Sequence, residues 1–316
     1  IKTDVTTSLV EKIALENGVH CIDDLLVGFK YIADEMNKIE KERKIEDFIF
    51  GTEESHGYLT GNYARDKDAA CAAIWLSEHA AELKKQQKTL LDDLNDIYST
   101  YGYCHNYLTE IRLLGAKGME QIGLIMDHLR STEIESFENF RVKKRLDRRQ
   151  GDPQPHLSKT DTSARNMLIY YLDDLPTTAG IKITVRPSGT EPKIKMYFEV
   201  IGKPCNPENL ADERAKITAI RLKLEKIFMQ YCYRLLGVDF PDRGFLLFWQ
   251  LPLNDKLKYF EIENEIVNLK NTVDRGARKN ELDKLLLFLG ANPVEKVDNA
   301  FREKYNAGIL EYLELN

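Results

Sequence analysis

The 316-residue chain is 43% hydrophobic and 30% charged, with a formal net charge of −6 and a pI near 5.7. That length suits about two or three domains with buried cores, and the acidic balance excludes a broad nucleic-acid surface while leaving room for local basic pockets. No apolar run is long enough to cross a bilayer and no basic-plus-apolar leader opens the chain, so a cytoplasmic protein without membrane contact is expected. Cys21, Cys71, Cys104, Cys205 and Cys232 are odd in number and widely spaced. They form no close metal-ligand pair and read as reduced structural thiols. Ile1 in place of Met is what a chain cut from a longer one, or processed at its start, would show.

In chain order, Leu9, Val10, Ile13 and Ala14 share one face of a helix that ends at Gly18, and VGFKYIADEM predicts a second helix. The charged run Asn37 to Asp47 reads as solvated helix or loop. Phe48, Ile49 and Phe50 predict a short strand that empties into a polar loop, where alternating α/β sheets place their ligands. The loop concentrates Glu53, Glu54, Ser55 and His56, then Arg65, Asp66, Lys67 and Asp68. Glu53 and Ser55 would point the same way in an extended segment and could bind neighbouring sugar hydroxyls; a solvated surface loop is the alternative. His56 lacks the second spaced His or Cys that a zinc site needs. From Asp68 onward a long helix is predicted, with Cys71, Ile74, Trp75, Leu83, Leu90, Leu91, Leu94 and Ile97 as its buried stripe. Tyr98, Tyr101, Tyr103 and Tyr107 read as packing between elements, because no basic residues interleave them.

GAKGMEQIGLIMDHLRS is amphipathic, residues 131 to 163 are polar, and Pro153 and Pro155 exclude a regular central element there. NMLIYYLDD reads as a strand, and IKITVRPSGTEPKIKMYFEV as a hairpin. Ile183, Val185, Ile194, Met196 and Phe198 recur with period two, as in strands with one buried face. The loop between them carries Arg186, Ser188, Gly189 and Thr190. That is a phosphate-binding inventory: an arginine fork, two hydroxyls and a glycine that lets the backbone approach the oxygens. An ordinary Pro/Gly hairpin with a surface arginine is the alternative. The expected small α+β domain places its helix first and its antiparallel strands after it.

Beyond Gly202 a long helix is predicted with Ile217, Ile220, Leu224, Ile227 and Tyr231 on its buried face. GFLLFWQLPL reads as packed core or an interface, and the rest as helical without a chemical constellation. The fold class expected is therefore an α/β sheet-and-helix unit over residues 1–104, an α+β phosphate-binding domain with antiparallel strands over 105–202, and a helical extension over 203–316.

FGTEESHGYLTGNYARDKDAA and VRPSGTEPKIKMYF, in that order, resemble the α-D-phosphohexomutases, the family of phosphoglucomutase and phosphomannomutase. TSLVEKIA, GFKYIADEM and GMEQIGLIMDHLR add to the likeness, which stops before the extension. ESHGYLTG followed by RDKD, with SGTEPKIK later, looks most like the branch holding bacterial phosphoglucomutase and the animal pentose-preferring form. The family enzyme carries a phosphoserine in its first domain, an aspartate loop for magnesium in its second, a sugar-selecting loop in its third and a phosphate-gripping loop in its fourth. The chain matches the last two, so the resemblance implies no catalytic residue and no metal ligand here, with Mg2+ bound in missing N-terminal domains. It implies that Glu53, Ser55 and Lys30 contact the sugar, with His56 a further contact, and that Arg186, Ser188, Gly189 and Thr190 bind phosphate. The order His56 then Gly57 departs from the Gly-His order of the mannomutase branch. The implied reaction interconverts sugar 1- and 6-phosphates, or pentose 1- and 5-phosphates, through a bisphosphorylated intermediate, and the extension offers a homo-oligomer contact. A non-catalytic sugar-phosphate-binding or assembly module is the alternative, and the absence of GxxxxGK[ST] disfavours a kinase.

Overall fold

A computed structural model describes residues 1–150, 156–189 and 191–315. Pro153, Pro155 and Thr190, singled out above, lie outside the described residues. Helices α1 (Leu9–Glu16) and α2 (Phe29–Lys41) precede an antiparallel hairpin of β1 (Phe50–Glu53) and β2 (Gly57–Thr60), then α3 (Ala69–Lys85) and α4 (Leu90–Tyr101). Next come β3 (Cys104–Arg112), α5 (Gly115–Ser131), β4 (Ser136–Phe137), β5 (Phe140–Asp147) and the single turn α6 (Asp161–Ala164). Strands β6 (Leu168–Leu172), β7 (Thr178–Pro187) and β8 (Lys193–Gly202) complete a six-stranded sheet of order β3-β8-β7-β6-β5-β4. The helical extension is α7 (Leu210–Leu235), α8 (Leu253–Asn268), α9 (Arg275–Leu286), α10 (Asp298–Tyr305) and α11 (Ile309–Tyr312). The layout is the expected one: an α/β part, an antiparallel sheet and a helical extension.

By contacts the chain divides into two compact units. The first is Ile1–Leu108 with Glu138–Val185 and Tyr197–Leu224; the second is Thr109–Phe137 with Arg186–Met196 and Glu225–Asn316. In the first unit, Phe29, Ile32 and Met36 recur along one face of α2 and join Leu26, Phe48, Leu59, Met167, Ile169 and Tyr197 in one core cluster. Lys38 and Lys41 in the last turn of α2 suit its C-terminal dipole, so the helix runs on through part of the charged segment. Asp68 caps α3 by accepting from the Ala70 N–H, and Thr89 and Asp92 form a capping box on α4. Gly102, between α4 and β3, has φ +94°, and a Cβ there would meet the Gly202 carbonyl oxygen at 2.0 Å. Both the turn and the close approach require glycine.

A buried charge network fastens the start of the chain to the sheet within this unit. Glu199 on β8 accepts from the Ser8 N–H at 2.8 Å and the Ser8 hydroxyl at 2.6 Å, and pairs with Lys182 of β7 at 3.2 Å. Arg148 grips Asp4 through two hydrogen bonds of 2.7 and 2.8 Å and also donates to the Asp24 carbonyl. Burial alone would push the Glu199 carboxyl up, but the Lys182 charge and the Ser8 donors hold it below its ordinary 4.5.

In the second unit, Ile122, Ile125, Met126 and Leu129 form the buried face of α5, and Phe137 meets Phe228 of α7 edge-on at 4.9 Å. Leu247, Leu251, Tyr259, Ile266, Leu282, Leu286 and Phe301 belong to the core of the extension, so Leu247 and Leu251 of the apolar GFLLFWQLPL run are packed while Leu246 and Phe248 stay exposed. Glu263 is 3% exposed there and is satisfied by Arg243 and Lys304.

The structure corrects several expectations. The strand expected at Phe48 begins at Phe50, because Phe48 follows a 3₁₀ turn and enters the core. It does not empty into a long loop but turns back as a hairpin. Strand β3 comes before the helix α5, and β5 is a strand inside the stretch read only as polar. Its cations sit on exposed positions while Phe140 is buried. The stripe on α3 and α4 holds only in part: Cys71 and Leu83 are buried and Ile97 is partly buried, whereas Ile74, Trp75, Leu90, Leu91 and Leu94 are exposed. AACAAIWL is apolar nearly all round, so its periodicity does not choose a face. Finally, β7 and β8 bury both faces, including Thr184, Tyr197 and Glu199, because the first segment of the chain lies against the second face.

Glu199→Ala leaves Lys182 buried without its counter-charge and is expected to cost about 3–5 kcal/mol in urea denaturation at neutral pH. The folded pKa is depressed, so this contribution is full above the ordinary 4.5 and is lost as the pH falls through the lower folded value. A penalty that persists unchanged in acid contradicts the assignment.

Candidate functional site

The hairpin is a candidate site built from residues of the first unit. Glu53 ends β1, His56 takes φ +54°, and Gly57 opens β2, so Glu54, Ser55 and His56 form a three-residue turn. Glu53 and Ser55 therefore do not share an extended segment. Glu53 is 6% exposed while Ser55 and His56 are open to solvent, and the Ser55 hydroxyl donates to Glu54 at 2.7 Å. The Glu53 carboxylate accepts from Lys67 Nζ at 2.7 Å, and this bond holds the Lys67 ammonium above its ordinary value. A Cβ on Gly57 would lie 2.2 Å from Glu53 Cγ, so the glycine makes the space in which Glu53 sits.

Lys30 lies in the first turn of α2, and its ammonium does not bond to the hairpin. It donates to Ser158 Oγ at 2.6 Å, to Thr160 Oγ1 at 3.1 Å and to the Asp161 carboxylate. Of the other charges expected around the loop, Arg65 is spent on Asn37 and Glu40 of α2, and Asp68 on capping α3 and accepting from the Tyr63 hydroxyl. Ser158, Thr160 and Asp161 escaped assignment from the sequence, where their signal was the polar SKTD cluster and its short spacing, while Lys67 was singled out as a loop charge without a partner being assigned to it.

The Arg186 loop, a separate candidate, lies in the second unit. Strand β7 carries Arg186 into the loop, Ser188 N–H bonds to the Lys193 carbonyl at 2.8 Å, and Leu113 N–H bonds to the Pro192 carbonyl at 2.9 Å. These bonds close the loop on itself and tie it to the chain following β3. The Arg186 guanidinium and the exposed Gly189 N–H have no hydrogen-bond partner among the described residues. Lys193 is neutralised by Glu191 at 2.6 Å and Glu110 at 3.1 Å, and Glu110 also takes Arg112 at 2.8 Å. Lys193, with the Arg112 and Lys195 charges, holds the Glu191 carboxyl below its ordinary value. Chemically, the loop offers an anion a fork and an amide that have no partner among the described residues.

Among the described residues, no group of three His, Cys, Asp or Glu is placed to hold a metal ion. At the hairpin, Glu53 is matched to Lys67 and Glu54 accepts from the Ser55 hydroxyl, so these residues do not fit a magnesium site. Among the described residues, no helix is long and apolar enough to cross a membrane.

The family model for phosphoglucomutase/phosphomannomutase, alpha/beta/alpha domain III, matches residues 1–101. A phosphoglucomutase of Staphylococcus aureus strain MSSA476 is 34% identical over 220 residues, covering 70% of this chain and 38% of that protein. The phosphoglucomutase of strain N315 is 36% identical over 200 residues, covering 63% of this chain and 35% of that protein. A crystal structure of the exocytosis-sensitive phosphoprotein pp63/parafusin, a phosphoglucomutase from Paramecium in its open form, aligns with a TM-score of 0.49 at 18% identity, covering 76% of this chain and 39% of that one. The chain thus spans less than two fifths of the length of the curated relatives it matches.

Gly57→Ala is expected to displace Glu53 from Lys67 and to cost about 1–3 kcal/mol, measured by denaturant unfolding. Unchanged stability with Glu53 still in place would contradict the packing argument. Residues 1–101 thus match domain III of the phosphoglucomutase/phosphomannomutase family, and the chain is similar over 200 to 220 residues to bacterial phosphoglucomutases.

Proposed function

We propose that this chain supplies the sugar selector and the substrate-phosphate grip of a phosphohexomutase, an intramolecular phosphotransferase acting on sugar phosphates. The division into a sugar-recognition domain over 1–104, a phosphate-binding domain over 105–202 and an extension belongs to the same proposal. Glu53, Ser55, His56 and Lys30 select the sugar, and Arg186, Ser188, Gly189 and Thr190 hold the phosphate that is not being transferred. The phosphoserine and the magnesium loop that the family resemblance implies are assigned in this proposal to the remainder of the longer relatives, of which the chain covers 38% in the strain MSSA476 protein. In the complete enzyme the serine phosphate goes to one sugar hydroxyl, the bisphosphorylated sugar reverses, and the second transfer restores the serine phosphate. A fixed cradle at the idle phosphate is what such a reversal requires, since the sugar must be held in either orientation with its reacting oxygen in line.

The observation that carries the proposal is the Arg186 guanidinium, which has no hydrogen-bond partner among the described residues, beside the backbone hydrogen bonds Ser188 to Lys193 and Leu113 to Pro192. Donors already fixed in place lose little freedom when an anion arrives, which favours binding. Glu110 and Glu191 draw in Lys193, so the charge left for a phosphate is that of Arg186, with Lys195 nearby on β8.

Arg186→Ala is expected to weaken both inorganic phosphate and glucose 1-phosphate about tenfold or more in isothermal titration calorimetry. Equal affinity in the variant would sink the assignment. The purified 316-residue chain is expected to turn over no sugar phosphate; mutase activity free of contaminating enzyme would refute the missing-half part of the proposal. Phosphate binding without any preference for sugar phosphates would favour a plain anion-binding module.

A further inference from the structure

We propose that Asp161 is a positioning residue of the sugar site, holding the Lys30 ammonium in place together with the Ser158 and Thr160 hydroxyls. This rests on Lys30 being a sugar contact, as proposed above. The starting observation is an anomaly of exposure. Residues 156–160 and 162–163 are all open to solvent, yet the Asp161 carboxylate among them is wholly buried. A buried carboxylate persists only when its oxygens are matched. Here one oxygen takes the Lys30 ammonium and the Ser158 hydroxyl at 2.9 Å, and the other takes the Leu157 N–H at 2.6 Å. Arg165 lies at 3.9 Å from the second oxygen. Burial works against the charge, but Lys30 and the other donors outweigh it and hold the carboxyl well below the usual range.

The arrangement is directional. Lys30 stands on a rigid helix, with its ammonium 4.9 Å from the centre of the Tyr31 ring, and it is still 35% exposed. A lysine chain of four methylenes otherwise samples many rotamers. Three oxygens on one short segment remove that freedom while leaving the group open to solvent. Ser158 Oγ also lies 2.9 Å from Thr160 Oγ1, so the hydroxyls form a connected set that can pass a hydrogen bond to an arriving sugar oxygen. An anchor serving only α6 would need the Leu157 N–H and Ser158 bonds; it would not need the ammonium of a residue 131 positions away.

The test measures glucose 1-phosphate and inorganic phosphate binding by calorimetry for the full chain and for Lys30→Met, Asp161→Asn and the double variant. Asp161→Asn is expected to weaken glucose 1-phosphate about tenfold, as Lys30→Met does, with no further loss in the double variant. Inorganic phosphate should bind all four proteins equally. Asp161→Asn that binds glucose 1-phosphate like the unaltered chain, while Lys30→Met does not, overturns the proposal. Equal weakening of both ligands also overturns it, because a merely structural residue would act that way. Should Asp161→Asn fail to fold, Ser158→Ala removes one oxygen shared by both charges, and an unaltered preference for the sugar phosphate then overturns the proposal. If the unaltered chain shows no preference for glucose 1-phosphate over phosphate, the sugar-site reading itself fails, and this inference falls with it.

Discussion

The ion pair between Lys182 and Glu199, closed over by Ser8, is the interaction on which the first unit depends. It joins two neighbouring strands of the sheet to a segment 191 residues away in sequence. Its partner, the Asp4 to Arg148 fork, does the same for the turn at Asp24. Both pairs are nearly inaccessible to water. Each charge therefore costs desolvation that only its partner offsets, and the gain lies in fixing one arrangement of segments more than in raw stability. The parallel bridges Lys2 to Thr52 and Thr3 to Leu25 then set where the hairpin begins.

That arrangement explains a common feature of the candidate site residues. Glu53 and Lys30 are not free charges waiting for a ligand: each is matched with an opposite charge, Lys67 and Asp161. A sugar that engages them exchanges hydrogen bonds and does not create a new charge pair. Such a site discriminates by geometry, since a hydroxyl that fails to replace a lost bond leaves a buried polar group unpaired. Arg186 is different. It has no partner among the described residues and offers attraction to any phosphate.

Much of the sheet was legible in the sequence because period two leaves a clear trace: Ile183, Val185, Ile194, Met196 and Phe198 are all buried as that period requires. That β7 and β8 are separate strands was legible for the same local reason. The charge partners were not, because Ser8 with Glu199 and Lys30 with Asp161 meet only through the fold, and nothing in MYFEV marks its glutamate as buried. Helix α3 misled for another reason. An apolar helix surface gives periodicity no contrast, so Trp75 reads as core and is 58% exposed. The hairpin was misplaced because His56 takes the left-handed conformation without being glycine or asparagine.

The central claim is that the hairpin residues recognise a sugar and the Arg186 loop a phosphate. The most direct measurement is an amide-resolved NMR titration of the chain with glucose 1-phosphate, set against the same titration with inorganic phosphate. The account predicts that both ligands move the Gly189 and Ser188 amides, and that only glucose 1-phosphate moves those of Glu53 to Gly57. Movement confined to the loop with both ligands would contradict the sugar selector, and movement at neither place would contradict the account as a whole.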